Sequence, residues 1–132
     1  MNNKFETLDF YPLSKNKKRY SEGGLRKNSV KKISLPNKPL ITIITVVFNG
    51  DKYLQETIDS IKKQNYKNYE YIIIDGGSTD KTLQIIKNNS SMVDYWISEK
   101  DEGIYDAFNK GLNLAKGDYI GIINSDDTYE AN

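Results

Sequence analysis

Residues 40–48 read LITIITVVF, a continuous apolar run rich in β-branched side chains. Runs of this length and composition are typical of strands buried on both faces, as in a parallel sheet. Asn49, Gly50 and Asp51 follow directly. They end the strand and offer side chains suited to begin a helix. The stretch therefore predicts a βα unit whose strand lies inside a sheet.

The same succession of strand and helix repeats along the chain. The first helix is predicted to end near residue 64 and to bury Leu54, Ile58 and Ile61, which share one helical face. Further strands are predicted at 69–75, 93–98 and 118–123, and further helices at 79–88 and 104–115. Short connections between alternating strands and helices predict an α/β fold, with Rossmann-like βαβ units on a mostly parallel sheet.

The helix predicted at 104–115 has its own apolar pattern. Ile104, Phe108, Leu112 and Ala115 lie three or four residues apart, the spacing of one helical face. We expect these four side chains to point inward, against the sheet.

Composition changes at residue 39. Residues 1–38 are rich in Lys, Asn and Ser, and predict a basic, weakly ordered N-terminal arm. The arm is interpreted as a solvated tail, with docking on an anionic membrane surface or a partner chain as the alternative. Residues 39–132 are predicted to form the α/β domain.

The overall composition excludes several kinds of protein. The chain has 132 residues and a net charge of +1, from 19 Lys and Arg against 18 Asp and Glu, so no general attraction to nucleic acid is expected. With no Cys and no His, disulfides, thiolate or imidazole metal sites and a histidine base are excluded. No apolar run approaches the ~20 residues of a membrane span. We expect a cytoplasmic protein, with the inner face of the membrane as a further location.

Polar clusters follow each strand predicted from residue 39 onward. They comprise residues 49–50, 75–78, 99–103 and 124–127. Because ligands bind at the carboxyl ends of the strands in open α/β sheets, the fold is expected to gather these four clusters on one rim.

Asp126 and Asp127 end the last cluster. Two adjacent carboxylates repel each other, and a hard divalent cation such as Mg²⁺ removes that repulsion. The alternative is a solvated acidic turn. Their place on the shared rim favours the metal.

Three other residues are candidates for ligand binding. Asp75 ends an apolar strand before two glycines and could accept from a base N–H or a ribose hydroxyl; the alternative is a tight turn before a capped helix. Asp101 precedes a helix, so ligand binding and helix capping are both open. Asn109 lies inside a predicted helix, where Asn is a poor former, so a polar role and a plain surface position are both open.

Four segments together carry a family resemblance. They are ITIITVVFNG (41–50), YIIIDGGSTD (71–80), WISEKDEGIYDAFNKGLNLAKGD (96–118) and YIGIINSDD (119–127). From residue 39 onward the chain resembles the N-terminal half of the A-type fold, family-two glycosyltransferases of bacterial polysaccharide assembly. Any one segment alone would be a weak signal, whereas the four in this order are specific.

The resemblance implies a function and a set of site residues. It implies a nucleotide-diphosphate sugar donor, UDP-linked, a saccharide or lipid-linked acceptor, and inverting transfer in one displacement. It implies a Mg²⁺ or Mn²⁺ ion held by Asp126 and Asp127. The donor-binding residues it implies are Val46, Asn49, Asp75, Asp101, Gly103, Asn109 and Asp126.

The sequence departs from the family pattern at two points. Many members carry two aspartates where this chain has Asp75 and Gly76. The family's catalytic base lies well downstream of the acidic motif, so it is expected beyond Asn132. We therefore expect this chain to bind a donor weakly and to transfer little, and we expect self-association through an exposed sheet edge.

Three other functions are alternatives to this one. A binding-only remnant without transfer activity stays open. A metal-dependent nucleotidyltransferase is disfavoured, because residues 49–52 (NGDK) make a poor phosphate-binding loop. A receiver-type signalling domain would need an acidic pair after its first strand, where this chain has residues 46–49 (VVFN).

Overall fold

The computed structural model describes residues 7–14 and 17–125. Five strands and three helices follow one another in this part of the chain. They are β1 (Arg19–Gly23), β2 (Ile41–Val47), α1 (Leu54–Lys62), β3 (Tyr69–Asp75), α2 (Thr82–Asn88), β4 (Tyr95–Glu99), α3 (Ile104–Leu114) and β5 (Tyr119–Ile122), with short 3₁₀ turns at Leu25–Asn28 and Ser90–Met92. The α/β fold and the alternation predicted from residue 39 onward are confirmed.

The sheet has the strand order β1-β4-β3-β2-β5. β2 pairs in parallel with β3 and β5, and β3 with β4, whereas β1 runs antiparallel to β4. The chain thus builds outward from β2 in one direction and then returns to place β5 on its other side. Such a reversal opens a crevice between the carboxyl ends of the two strands concerned, here β2 and β5.

Helices cover both faces of the sheet. On one face Ile43 and Val47 of β2 belong to the same buried cluster as α1, whose Leu54, Ile58 and Ile61 are fully buried as predicted. On the other face Ile44 and Val46 belong to the buried cluster of α3. Successive residues of a strand point to opposite faces, so covering both faces explains why residues 40–48 show little polar alternation.

The face that α3 buries differs from the one predicted. Ala107, Lys110, Gly111 and Leu114 are its buried residues, whereas Ile104 is 50% exposed and Leu112 43% exposed. The inward orientation predicted for Ile104 and Leu112 is wrong; Ala115 is buried and Phe108 is half-buried. Gly111 gives the reason: a Cβ there would come within 2.7 Å of Ile44 Cγ2. Small residues let α3 approach β2 closely, and that contact sets the buried face.

The N-terminal segment also differs from the weakly ordered arm expected. Residues 19–23 add a strand to the edge of β4. Arg26 is buried, and its Nη2 donates to Glu70 Oε1 at 2.7 Å and to the Leu114 carbonyl oxygen at 2.8 Å. Composition could not show this, because the partners that order the segment are strand edges and carboxylates far away in sequence.

β5 forms the opposite edge of the sheet. Among the described residues it pairs with β2 alone, and Tyr119, Ile120 and Ile122 are exposed. Self-association through such an edge stays a prediction. None of the helices within residues 7–14 and 17–125 has the length and apolar character needed to span a bilayer.

Candidate functional site

A cavity of about 650 Å³ opens at the crevice between the ends of β2 and β5. Three segments form its wall: the loop after β2, the segment from residue 101 into α3, and the residues that follow β5. The residues that line it include Val46, Phe48, Asn49, Gly50, Lys52, Tyr53, Asp101, Gly103, Asn124 and Ser125. The cavity lies where the reversal of strand order predicts a ligand site.

Asn49 lies on the cavity wall and joins its own loop to a neighbouring turn. Its backbone has a φ of 50°, a left-handed conformation that Asn adopts more readily than most residues. Its side-chain oxygen accepts from the backbone N–H of Thr79 at 2.8 Å and of Asp80 at 3.3 Å. Its own N–H donates to Ser78 Oγ at 2.7 Å. Asn49 therefore fixes the loop after β2 to the turn after β3.

Asp75 is fully buried and does not line the cavity. Its carboxylate accepts from the backbone N–H of Ser78 at 3.0 Å and from the hydroxyl of Ser98 at 2.6 Å. The first bond closes the turn that follows β3, and the second joins Asp75 to β4, in line with the turn alternative left open by the sequence. A direct contact between Asp75 and a ligand stays a prediction.

Asp101 stands on the cavity wall, close to Gly76. A Cβ on Gly76 would lie 2.7 Å from Asp101 Oδ2, so a side chain at position 76 would displace this carboxylate. The glycine that departs from the aspartate pair of the resembling family thus makes room for a carboxylate from another loop. Asp101 Oδ1 also accepts from the N–H of Gly103 at 3.1 Å.

The family resemblance also predicts donor binding by Val46, Gly103 and Asn109. Val46 and Gly103 line the cavity. Gly103 has a φ of 110° and open space around the position of a Cβ, so the backbone conformation rather than crowding favours glycine there. Asn109 is exposed on α3 and does not line the cavity. A ligand contact by Asn109 stays a prediction that this geometry does not support.

The predicted metal ligands Asp126 and Asp127 lie outside the described residues. Ser125, directly before them, lines the cavity and is held in place. Its carbonyl oxygen accepts from Thr57 Oγ1 at 2.8 Å, and a Cβ on Gly50 would lie 2.9 Å from its Oγ. Within residues 7–14 and 17–125, no group of three or more His, Cys, Asp or Glu side chains could hold a metal ion.

Comparison with known proteins decides the family. Residues 42–132 match the family model described as Glycosyl transferase family 2. The chain belongs to glycosyltransferase family 2. It is 44% identical over 94 residues to an uncharacterised glycosyltransferase of Haemophilus influenzae, covering 69% of this chain and 38% of that relative. The chain therefore spans about two fifths of that relative's length.

Two solved structures are similar in fold. S. aureus TarS, residues 1–349, in complex with UDP-GlcNAc has a TM-score of 0.60 and 28% identity, covering 67% of this chain and 27% of TarS. The mannosyltransferase PcManGT of Pyrobaculum calidifontis, in complex with GDP-Man and Mn²⁺, has a TM-score of 0.64 and 23% identity, covering 76% of this chain and 31% of that one. The second likeness bears on the fold alone.

The sequence did not indicate several residues in or near the cavity. Lys52 and Tyr53 line it, with Lys52 Nζ 5.1 Å from the Tyr53 ring centroid. Lys110 of α3 is almost fully buried, with its Nζ 3.2 Å from Glu99 Oε2 and 3.5 Å from Asp106 Oδ2. The i,i+4 spacing of Asp106 and Lys110 was a readable signal for an ion pair. Nothing local indicated that the pair faces the sheet.

The Asp106 carboxyl is tuned by these neighbours. Burial by itself would raise its pKa. The N–H of Glu102, 2.9 Å away, and the charge of Lys110 outweigh burial, so the pKa of Asp106 lies below its usual value. The carboxylate therefore stays charged at neutral pH at the start of α3, where negative charge is favoured.

Proposed function

We propose that this chain forms the donor site of an inverting glycosyltransferase of polysaccharide biosynthesis. Its donor is a UDP-linked sugar, and its acceptor is a saccharide or a lipid-linked molecule. One observation carries the proposal. The cavity lies at the crevice between β2 and β5, and Ser125 on its wall is followed directly by the acidic pair 126–127.

The chemistry of the cavity wall fits a nucleotide. Phe48 is 63% exposed although it lines the cavity, and Tyr53 stands in the same loop. Such rings offer flat apolar surface to a base, while a few polar groups fix its orientation. Asn124 and Asp101 supply amide and carboxylate groups, and Lys52 supplies a positive charge suited to a diphosphate. The likeness to TarS, solved with UDP-GlcNAc, supports a UDP-linked donor.

The acidic pair fits a hard divalent cation. Asp126 and Asp127 would hold Mg²⁺ or Mn²⁺ through carboxylate oxygens, the ligands that such ions prefer. When bound, the metal would neutralise the diphosphate and stabilise the leaving group as a Lewis acid.

The chain's own residues would orient the donor for transfer. Asn49 would keep the loops after β2 and β3 together beneath the base, and Asp101 would accept from a base N–H or ribose hydroxyl. In an inverting displacement an acceptor hydroxyl forms a bond to the anomeric carbon as the bond to the diphosphate oxygen breaks. A base must take the hydroxyl proton, and no residue of this chain is assigned to that role.

Calorimetry with UDP tests the proposal. We expect the chain to bind UDP in the presence of Mn²⁺, to lose that binding when the metal is chelated, and to prefer UDP over GDP and UTP. Asp127→Ala should abolish the metal-dependent part. Glu56→Gln, which removes an exposed acid from α1, should leave binding unchanged. Metal-dependent UDP binding that survives Asp127→Ala would contradict the assignment of the acidic pair.

A further inference from the structure

A chain of alternating charges runs from β1 to α3 across the end of β4. Arg19 Nε donates to Glu99 Oε1 at 2.6 Å. The other carboxylate oxygen, Glu99 Oε2, lies 3.2 Å from Lys110 Nζ. The Glu99 and Lys110 side chains are almost fully buried and that of Arg19 is 12% exposed. Glu99 therefore depends on two cations for its charge compensation, and one of them, Arg19, is distant in sequence.

The same charges hold both ends of a loop on the cavity wall. Glu99 ends β4, and Asp106 lies in the first turn of α3. Lys110 bridges the two, because its Nζ is also 3.5 Å from Asp106 Oδ2. Asp106 in turn accepts from the N–H of Glu102 at 2.9 Å. The loop between these anchors contains Asp101 and Gly103, both of which line the cavity.

β1 makes a second contact, with the turn that follows β3. Tyr20, next to Arg19, lies over the turn that follows β3: a Cβ on Gly77 would be 3.0 Å from Tyr20 Cε2 and 3.3 Å from the backbone nitrogen of Lys100. β1 therefore contacts the turn after β3 through the Tyr20 ring, and it reaches the loop 100–103 through Glu99. The residues of β1 precede residue 42, where the family match begins.

We propose that β1 is a positioning element of the nucleotide site, which fixes the loop 100–103 through Arg19, Glu99 and Lys110. The ligand named here, UDP, rests on the proposed function. Without Arg19, Glu99 would draw Lys110 away from Asp106, and the anchor of the first turn of α3 would weaken. Asp101 and Gly103 would then lose their fixed place on the cavity wall.

Two measurements on the 132-residue chain test this proposal. The first is the amide NMR signal of Gly103 without ligand, and the second is the affinity for UDP with Mn²⁺. Arg19→Gln should shift the Gly103 signal and weaken UDP binding by about two- to thirtyfold, the usual range for residues that act through a packed network. Arg19→Lys, which keeps the charge, should recover most of both. Lys31→Gln, which breaks an exposed pair with Asp9 in the same segment, should change neither.

The outcomes separate the alternatives. A lower melting temperature with an unmoved Gly103 signal and unchanged affinity in Arg19→Gln would reduce Arg19 to a stabilising role and overturn the proposal. A parent chain that does not bind UDP would refute the proposed function, and the Gly103 signal of the ligand-free chain would then decide the positioning role alone. If Arg19→Gln does not fold, the double variant Glu99→Gln, Lys110→Met replaces both partners of the buried pair, which proteins tolerate better than the loss of one partner. An unmoved Gly103 signal in that variant would also overturn the proposal.

Discussion

Glu70 and Asp101, at opposite ends of the parallel strands, differ in how fully the chain satisfies their hydrogen bonds. At the amino end, Arg26 and Glu70 are buried against each other, and Glu70 Oε2 also accepts from the Thr42 hydroxyl and the Lys116 N–H, both at 2.6 Å. At the carboxyl end, Asp101 accepts from one backbone N–H and borders a cavity of about 650 Å³. A charge whose bonds are all made within the chain stabilises the fold, whereas a partly satisfied one on a concave wall is open to a ligand.

The largest expected effect lies at the amino end. Arg26→Met leaves Glu70 buried without its cation, and removing one partner of a buried pair costs about 3–5 kcal/mol. Since a domain of this kind has only ~5–15 kcal/mol of stability, urea unfolding followed by circular dichroism should show a much lower midpoint. UDP affinity of the folded protein should not change.

Lys31→Gln is the matched control, because it breaks an exposed pair on the same segment and exposed pairs contribute little. A loss in Arg26→Met as small as that in the control would mean that the amino-end network does not hold the fold together, and the comparison of the two ends would fail.

Two adjacent residues in α3 should differ in how much a substitution lowers stability. Gly111→Val forces a branched side chain against the buried Ile44, and overpacking of this kind typically costs about 1–3 kcal/mol. Leu112→Val alters the adjacent, partly exposed position and should stay within about 0.5 kcal/mol. Urea midpoints of the two variants check this, and equal midpoints would favour the face predicted from sequence over the observed one.

At the carboxyl end we expect a smaller effect, on UDP affinity and not on stability. Asp101→Ala should weaken UDP binding in the presence of Mn²⁺ by roughly tenfold, the usual range for a lost hydrogen bond to a charged group, with little change in the urea midpoint. Glu102→Ala, from the exposed neighbour in the same loop, is the control for calorimetry. A stability loss in Asp101→Ala without a change in affinity would reverse the roles assigned to the two ends.

The smallest expected effect is a pH dependence from Asp106. Burial opposes its charge, but the Glu102 N–H and Lys110 lower its pKa below the ordinary 3.8. The native state therefore binds fewer protons than the unfolded one, so the contribution of Asp106 to stability is present above pH 3.8 and lost as pH falls through the folded pKa. The urea midpoint of Asp106→Asn should lie below that of the parent at neutral pH and converge with it in acid. A gap that persists unchanged into acid would argue against a lowered pKa.

Much of the candidate site was predictable because strand ends are encoded locally. Apolar runs marked β2 and β3 closely, and the rule for parallel sheets placed Asn49, Asp101 and Gly103 on one rim. Val46 followed from the family resemblance. Asp75 was harder to assign, since a carboxylate before two glycines suits a turn and a ligand equally well. Its bond to Ser78 is local, but its bond to Ser98 comes from the neighbouring strand, which local sequence does not reveal.

From residue 39 onward, the order of strands and helices and the family resemblance could be predicted from the sequence, because short-range hydrophobic patterns and motifs are properties of neighbouring residues. Three features depended on the folded chain: the buried face of α3, the pairing of β1 with β4, and the burial of Lys110 beside Glu99. Each of these depends on segments that are distant along the chain, such as Arg19 and Glu99, and their contact forms only when the sheet brings them together. The pairing of charges across such distances follows from packing, and no local pattern encodes it.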